Sequence, residues 1–270
     1  MGWNKEDLDG LLGDLKTQYS PVEIAKALGI DGLLAERSCL SDSAILRHMT
    51  AGEIVIDPFK RENLATSSYD VSLGANFYRE MNPGFKPHIL NPYDEEHVRS
   101  IWKLEAAQTA RAEAVKHGID PNDLAAFRHS FGNNISPEDY VVLVKPGETI
   151  LAHTDEFIGG KKDITSMMKA RSSWGRNFIE VCKCAGWGDV GYVNRWTMEI
   201  TNNSQHYMIP LVVGRRIAQI VFFGVEQILE KDYTAGGKYQ TSDDLEKVKQ
   251  SWVPESMLPK MWKDRDIKRK

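Results

Sequence analysis

The chain has 270 residues, a formal net charge of −4, 41% hydrophobic and 27% charged residues, enough for one sizeable core with extensions rather than two equal domains. The acidic balance argues against a general nucleic-acid coat, which is normally basic, and no apolar run approaches the ~18 residues of a membrane span. Residues 1–7 lack a signal-peptide core, and Cys39, Cys182 and Cys184 make neither a disulfide framework nor a zinc set, so the chain is expected to be soluble and cytoplasmic.

Residues 1–38 are expected to form a helical N-terminal extension. Leu8, Leu11, Leu12 and Leu15 recur at helical spacing. Ser20, Pro21 and Glu23 then supply an N-cap, a first-turn proline and a capping-box acid, and Gly29 stands where a C-terminal glycine belongs. The phrase Ser20–Ile30 resembles the first half of a helix-turn-helix. A DNA reader would continue with a polar or basic recognition helix, but Asp31–Arg37 is short, acidic and apolar. Packing of a small helical unit on the main domain is therefore favoured.

From Cys39 the texture changes. Ser41 caps a short helix through about Ala51, Glu53–Pro58 reads as a strand ending at a turn, and Ser67–Phe77 as an alternating strand broken by Gly74. Residues 87–137 read as a helical insertion. Asp94, with Glu95 and Glu96 behind it, caps a half-exposed helix expected to run through Ile101, Trp102 and the alanines to Gly118. Short strands follow at Tyr140–Val144, Thr149–Ala152, Phe178–Cys182, Trp196–Ile200, Met208–Val213 and Ile217–Phe223. That spacing predicts a mainly β fold, a barrel or jelly roll rather than alternating β and α units. The main domain is expected over 39–240. The segment 241–270 is expected to be a polar, partly mobile tail.

Chemistry concentrates between Lys169 and Glu199. Arg171, Ser172, Ser173 and Arg176 precede the glycine-lined turn Ala185–Tyr192, which carries Asp189, and Glu199 follows on a strand. Arginine matches phosphate oxygens with a planar fork, hydroxyls and loop amides add donors, and a sequestered carboxylate can serve as general base. Glu199 suits that role because Met198 and Ile200 would point to the opposite face of its strand. Cys182 and Cys184 are expected on a strand in core or interface packing, and His153 and His206 at loop or surface positions. Trp174 and Trp187 fall inside the motifs, where they could border a pocket.

These motifs resemble dCTP deaminase, in the superfamily it shares with trimeric dUTPase. The resemblance covers roughly 38–86 and 138–240. It rests on Leu40–Ile45, Gly52–Pro58, Ser68–Gly74, Arg171–Arg176, Ala185–Asp189, Met198–Glu199 with Asn202, Gly214–Gln219 and Lys238–Gln240. It implies a distorted β-barrel or jelly-roll subunit of the dUTPase-like type, a homotrimer with sites shared between subunits, and a deoxynucleoside triphosphate carrying Mg2+ through its phosphates. By motif position, Glu199 would activate water for attack at cytosine C4 and then move protons to the ring and the departing ammonia. Ser172 and Arg176 would hold that water and balance its charge. Arg171, Ser173, Tyr233 and Lys238 would grip the triphosphate, and the backbone at Ala185 would read the base edge. Asp189 would lie at the deoxyribose and Tyr192 would stack under it. Gln219 and Tyr239 complete the expected substrate-binding set. The chain departs from the family at Ser242, where a glutamine is usual, at Asn194 in place of a glycine, and at Trp174 in place of a smaller aliphatic residue.

Zinc deaminases of nucleobases need H-x-E and P-C-x-x-C patterns. None of the seven histidines is followed two residues later by glutamate, and Cys182-Lys-Cys184 has no partner. Zinc-independent conversion of dCTP to dUTP, with or without further hydrolysis to dUMP and diphosphate, is therefore expected. Two alternatives stand beside it. A dUTPase-like pyrophosphohydrolase would use Asp189 to activate water toward the α-phosphate, and would not need Glu199. A non-catalytic nucleotide sensor or DNA-binding regulator would bind duplex in a salt-sensitive way without turnover.

Overall fold

The structure, a computed structural model, describes residues 39–84, 89–229, 231–264 and 266–267, all within the unit Cys39–Lys270. The expected helical extension over 1–38 lies outside them. Two twelve-residue strands, β2 (Tyr69–Glu80) and β6 (Thr149–Gly160), organise the main sheet. Every strand pairing in it is antiparallel.

Both long strands change partners partway along. The first residues of β2 pair with β12 (Arg216–Gly224), and its last five with β3 (Trp102–Ala106). Strand β6 pairs with β10 (Val193–Asn202) on one side, and on the other with β2 and then β1 (Ile54–Asp57). Register shifts between Leu73 and Phe77, and between Arg195 and Thr197, bend the ladder at these exchanges. The sheet curls into a half-barrel as a result. β7 (Ile164–Ala170) and the short β9 (Trp187–Gly188) extend it beyond β12, and β8 (Ile179–Val181) closes the far edge on β10. The mainly β architecture is as expected.

Inside the curl lie Leu40, Ile45, Tyr69, Leu73, Ile150, Met198, Ile200 and Phe222, each at most 1% exposed. Along β10 burial alternates from Trp196 to Ile200, so Met198 and Ile200 face the core while Thr197 and Glu199 face the other way. Leu40 and Ile45 come from the start of the domain, where Ser41 caps α1 (Asp42–Thr50). A second, three-stranded sheet joins β4 (Gln108–Thr109), β5 (Tyr140–Val144) and β11 (Ile209–Val212). It carries α3 (Ala110–Lys116) and α4 (Leu124–Phe131), whose Phe127 and Phe131 rings stack at 4.8 Å.

Four expectations need correction. Asp94 does cap a helix, α2, but it spans only Glu95–Ile101. Trp102–Ala106 then leaves helical geometry to pair with Asn76–Glu80, because the hydrogen-bond ladder on the open edge of β2 outweighs the helical preference of an alanine-rich stretch. Second, His153 is no surface residue. It sits on β6, 1% exposed, with its ring 4.7 Å from that of Trp252. It fills the space that Gly74 leaves, where a Cβ would come 2.0 Å from the imidazole. Nδ1 donates to the Thr154 carbonyl at 2.8 Å. His206 is exposed, as expected.

Third, Cys182 and Cys184 are not on a strand. β8 ends at Val181, and Cys182, Lys183 and Cys184 all take positive φ, at 68°, 35° and 69°. Cys182 is buried and Cys184 exposed. Fourth, the described part of the C-terminal segment is folded. Asp244 caps α6 (Leu245–Ser251), and Val248, Met257 and Leu258 are buried. Met257 and Leu258 pack with Tyr78 and Leu151. Few apolar residues are needed to dock it, so its polar composition concealed the docking. Among the described residues no helix is long and apolar enough to cross a membrane.

Candidate active site

The turn after β8 positions the first wall of a cavity of about 560 Å³. The positive-φ run Cys182–Cys184 reverses the chain, and the Cys182 amide donates to the Glu199 carbonyl at 3.0 Å, tying the turn to β10. The backbone at Gly188 lies against the Trp196 indole, where a Cβ would come within 2.4 Å of ring carbon. Ala185, Trp187 and Asp189 thereby line the cavity opposite the outward face of β10. Tyr192 closes its floor, edge-on to Trp196 at 5.3 Å and to Tyr233 at 5.2 Å.

Glu199 projects into this space from β10, across from Leu151 on β6. Burial raises its carboxyl above the ordinary carboxylate range, against a smaller opposing effect of a backbone hydrogen bond and of the Lys183 charge. The segment that carries Tyr233 and Tyr239 forms the remaining wall. It is pinned by Gln240, whose Oε1 accepts from the Val193 amide at 2.8 Å and whose Nε2 donates to the Gly191 carbonyl at 3.0 Å. The Asn194 side-chain amide donates to the Tyr239 carbonyl at 3.2 Å.

Six of the twelve expected site residues therefore share one cavity: Ala185, Asp189, Tyr192, Glu199, Tyr233 and Tyr239. Arg171 and Ser173 line a different one, of about 530 Å³, with Trp174, Arg215 and Arg216. There Asp70 holds the Arg171 Nε at 3.3 Å and the Arg216 Nη1 at 3.0 Å. Ser172 and Arg176 are exposed on α5 (Ser172–Arg176), and neither lines the Glu199 cavity. Gln219 is half-buried on β12 between Asp70 and Lys169, and also lines neither cavity. Lys238 is ion-paired with Asp264.

Several lining residues went unread in the sequence. Trp102 comes from the insertion and Met257 and Pro259 from the C-terminal segment, all three on the wall of the Glu199 cavity. No spacing within the chain joins them to the Ala185–Glu199 motif, since only the pairing of β3 with β2 and the docking of the C-terminal residues bring them near. Lys183 and Arg216 were legible in principle, because each lies inside a quoted motif as a cation. Among the described residues no group of three or more His, Cys, Asp or Glu side chains is placed to hold a metal ion.

The profile of the family described as dCTP deaminase-like matches residues 39–225. A "dCTP deaminase, dUMP-forming" of Methanosphaera stadtmanae is 31% identical over 219 residues, covering 79% of this chain and 95% of that protein. One of Methanococcus aeolicus is 28% identical over 185 residues, 68% of this chain and 82% of that one. Among solved structures, the 2′-deoxycytidine 5′-triphosphate deaminase of Agrobacterium tumefaciens overlays with a TM-score of 0.45 at 15% identity, covering 72% of this chain and 50% of that one.

Proposed function

The chain belongs to the dCTP deaminase-like family, and from that membership we propose that it converts dCTP to dUMP in one site by two hydrolyses. The observation that carries the first step is Glu199, a carboxyl raised by burial and facing a cavity walled by aromatic rings. Its ionised form takes a proton from water as the oxygen bonds to cytosine C4. It passes that proton to the ring nitrogen, then takes the proton of the new C4 hydroxyl and gives it to the amino group, which leaves as ammonia as the C4 carbonyl forms, and dUTP remains. No zinc-bound hydroxide enters this reading, which rests instead on the missing H-x-E and P-C-x-x-C patterns.

The second hydrolysis splits dUTP into dUMP and diphosphate, with Asp189 directing water to the α-phosphate. Its support is the dUMP-forming name of the relatives and the place of Asp189 in the same cavity as Glu199. Mg2+ would travel with the triphosphate as part of the substrate and offset its charge. The donors present fit that arrangement better than a resident metal, because Asp189 and Glu199 are the cavity's two carboxylates and, among the described residues, no third His, Cys, Asp or Glu joins them in a metal-holding group.

Arg171 and Ser173 line a cavity other than that of Glu199, and Ser172 and Arg176 line neither, which supports a homotrimer in which one subunit supplies the base cavity and its neighbour the α5 group. In that assembly Ser172 and Arg176 would reach the attacking water, and Arg171 and Ser173 the phosphates, from across the interface. We place the reaction in the cytoplasm.

One assay separates the readings. The protein is incubated with Mg2+ and dCTP and the nucleotides are resolved by chromatography. Formation of dUMP without a dUTP lag is expected. Accumulating dUTP would remove the second step, and turnover of dUTP with none of dCTP would overturn the deaminase reading in favour of a plain dUTPase.

A further inference from the structure

A third cavity, of about 260 Å³, shares the wall at Tyr239 with the Glu199 cavity and is built largely from the C-terminal segment. Lys238, Lys260 and Lys263 line it together with Ser242, Ser251 and Ser256, and no carboxylate does. That is a marked local excess of positive charge in a chain whose net charge is −4. Lys238 has Asp264 as a partner, but among the described residues neither Lys260 nor Lys263 has an ion pair. The Lys260 ammonium lies 5.0 Å from the Tyr239 ring centroid and 3.4 Å from the Lys238 carbonyl, which are weak substitutes for a counter-ion.

The frame around these cations is fixed. Gln240 is 4% exposed and hydrogen-bonded at both ends of its amide, and the Lys260 amide donates to the Tyr239 hydroxyl at 3.1 Å. Burial, with Lys263 and Arg99 nearby and against a smaller opposing effect of Glu95, holds the Lys260 ammonium below its usual range, as expected of cations gathered before their anion arrives. Clustered ammonium groups interleaved with hydroxyls suit a tetrahedral oxyanion bearing several acceptor oxygens.

We propose that this cavity binds phosphate, with Lys260 and Lys263 supplying charge that the family-matched residues 39–225 do not contain. The phosphate comes either from the terminal end of the nucleotide bound beside Glu199 or from free inorganic diphosphate. In both cases binding would exchange the Lys238–Asp264 pair for contacts to the ligand. Only the nucleotide source rests on the function proposed above.

The test compares the full chain with a Lys260→Met, Lys263→Met double variant, whose melting is checked first, and with Lys260→Arg, Lys263→Arg. Inorganic diphosphate should shield Lys260 and Lys263 of the wild type from an amine-reactive label read by mass spectrometry. It should bind the Met variant about tenfold more weakly, and the Arg variant nearly as well as the wild type. Equal weakening of dCTP binding with dCMP unaffected assigns the site to the terminal phosphate, whereas weakening for diphosphate alone assigns it to the free anion. Unprotected lysines together with unchanged affinity for both phosphate ligands in a Met variant that melts normally would overturn the proposal. Failure of the deaminase reading would show separately, as no deaminated product from the wild type, and would leave the diphosphate comparison intact.

Discussion

A carboxylate that takes a proton from water and returns it within one cycle works best with a pKa close to the ambient pH. Burial moves Glu199 in that direction, and the same burial has a cost in stability. Its folded pKa lies above the unfolded value, so the linked stabilisation is present below about 4.5 and is lost as pH rises through the folded pKa. Glu199→Gln should therefore abolish ammonia release from dCTP, leave triphosphate binding intact, and melt above the wild type at neutral pH. Retained deamination would refute the role. In the wild type the deamination rate should fall as pH drops through the raised pKa, because the base must be ionised. His153 has the opposite linkage. Burial lowers it from 6.5 to about 4, so the unfolded chain binds the extra proton between those values. Stability should be intact above pH 6.5 and decline by up to about 3 kcal/mol toward pH 4. Chemical denaturation at several pH values should show that slope, and His153→Gln should flatten it.

At the scale of elements, the wall of the Glu199 cavity depends on parts that carry no motif. The edge strand Trp102–Ala106 extends the sheet beside β2, and the C-terminal stretch around Met257 packs on it, where Tyr78, Leu151, Met257 and Leu258 form a small cluster of their own. Leu151 is also the cross-strand neighbour of Glu199, so the packing of the C-terminal stretch bears on Glu199 through Leu151. Met257 is 3% exposed and lines the cavity. Met257→Ala should cost about 2–3 kcal/mol in chemical denaturation. It should also raise KM for dCTP more than it lowers kcat, since a wall is loosened while Glu199 stays in place. A kcat loss at unchanged KM would place Met257 in the chemistry instead.

At the scale of the whole molecule, one chain carries the two halves of the proposed site in separate places. Arg171 and Ser173 line one cavity and Glu199 another, and cyclic symmetry is the simplest way to bring unlike patches together in a closed assembly. The proposed trimer makes a sharp prediction. Glu199→Gln and Arg176→Ala variants should each be inactive alone. Mixed and reassembled in equal amounts, they should regain activity at about a quarter of the sites, because such sites combine one intact half from each variant. No recovery after demonstrated subunit exchange would show that each site lies within one chain. Ultracentrifugation should find three copies.

The local motifs were enough to read the caps at Ser41 and Asp94, the face on which Glu199 stands, and many of the half-barrel's strands, though not Ile164–Ala170 or Trp102–Ala106. Each depends on alternation, turn chemistry or side-chain capping, all of which act over a few residues. Tertiary structure alone decided that Trp102 leaves its helix for a sheet edge, that His153 is sealed against Gly74, and that the polar C-terminal segment folds onto the site. It also decided that Arg171 and Glu199, close in sequence, end in different cavities. Strand pairing and docking join residues far apart along the chain, and their free energy comes from partners that no local window contains.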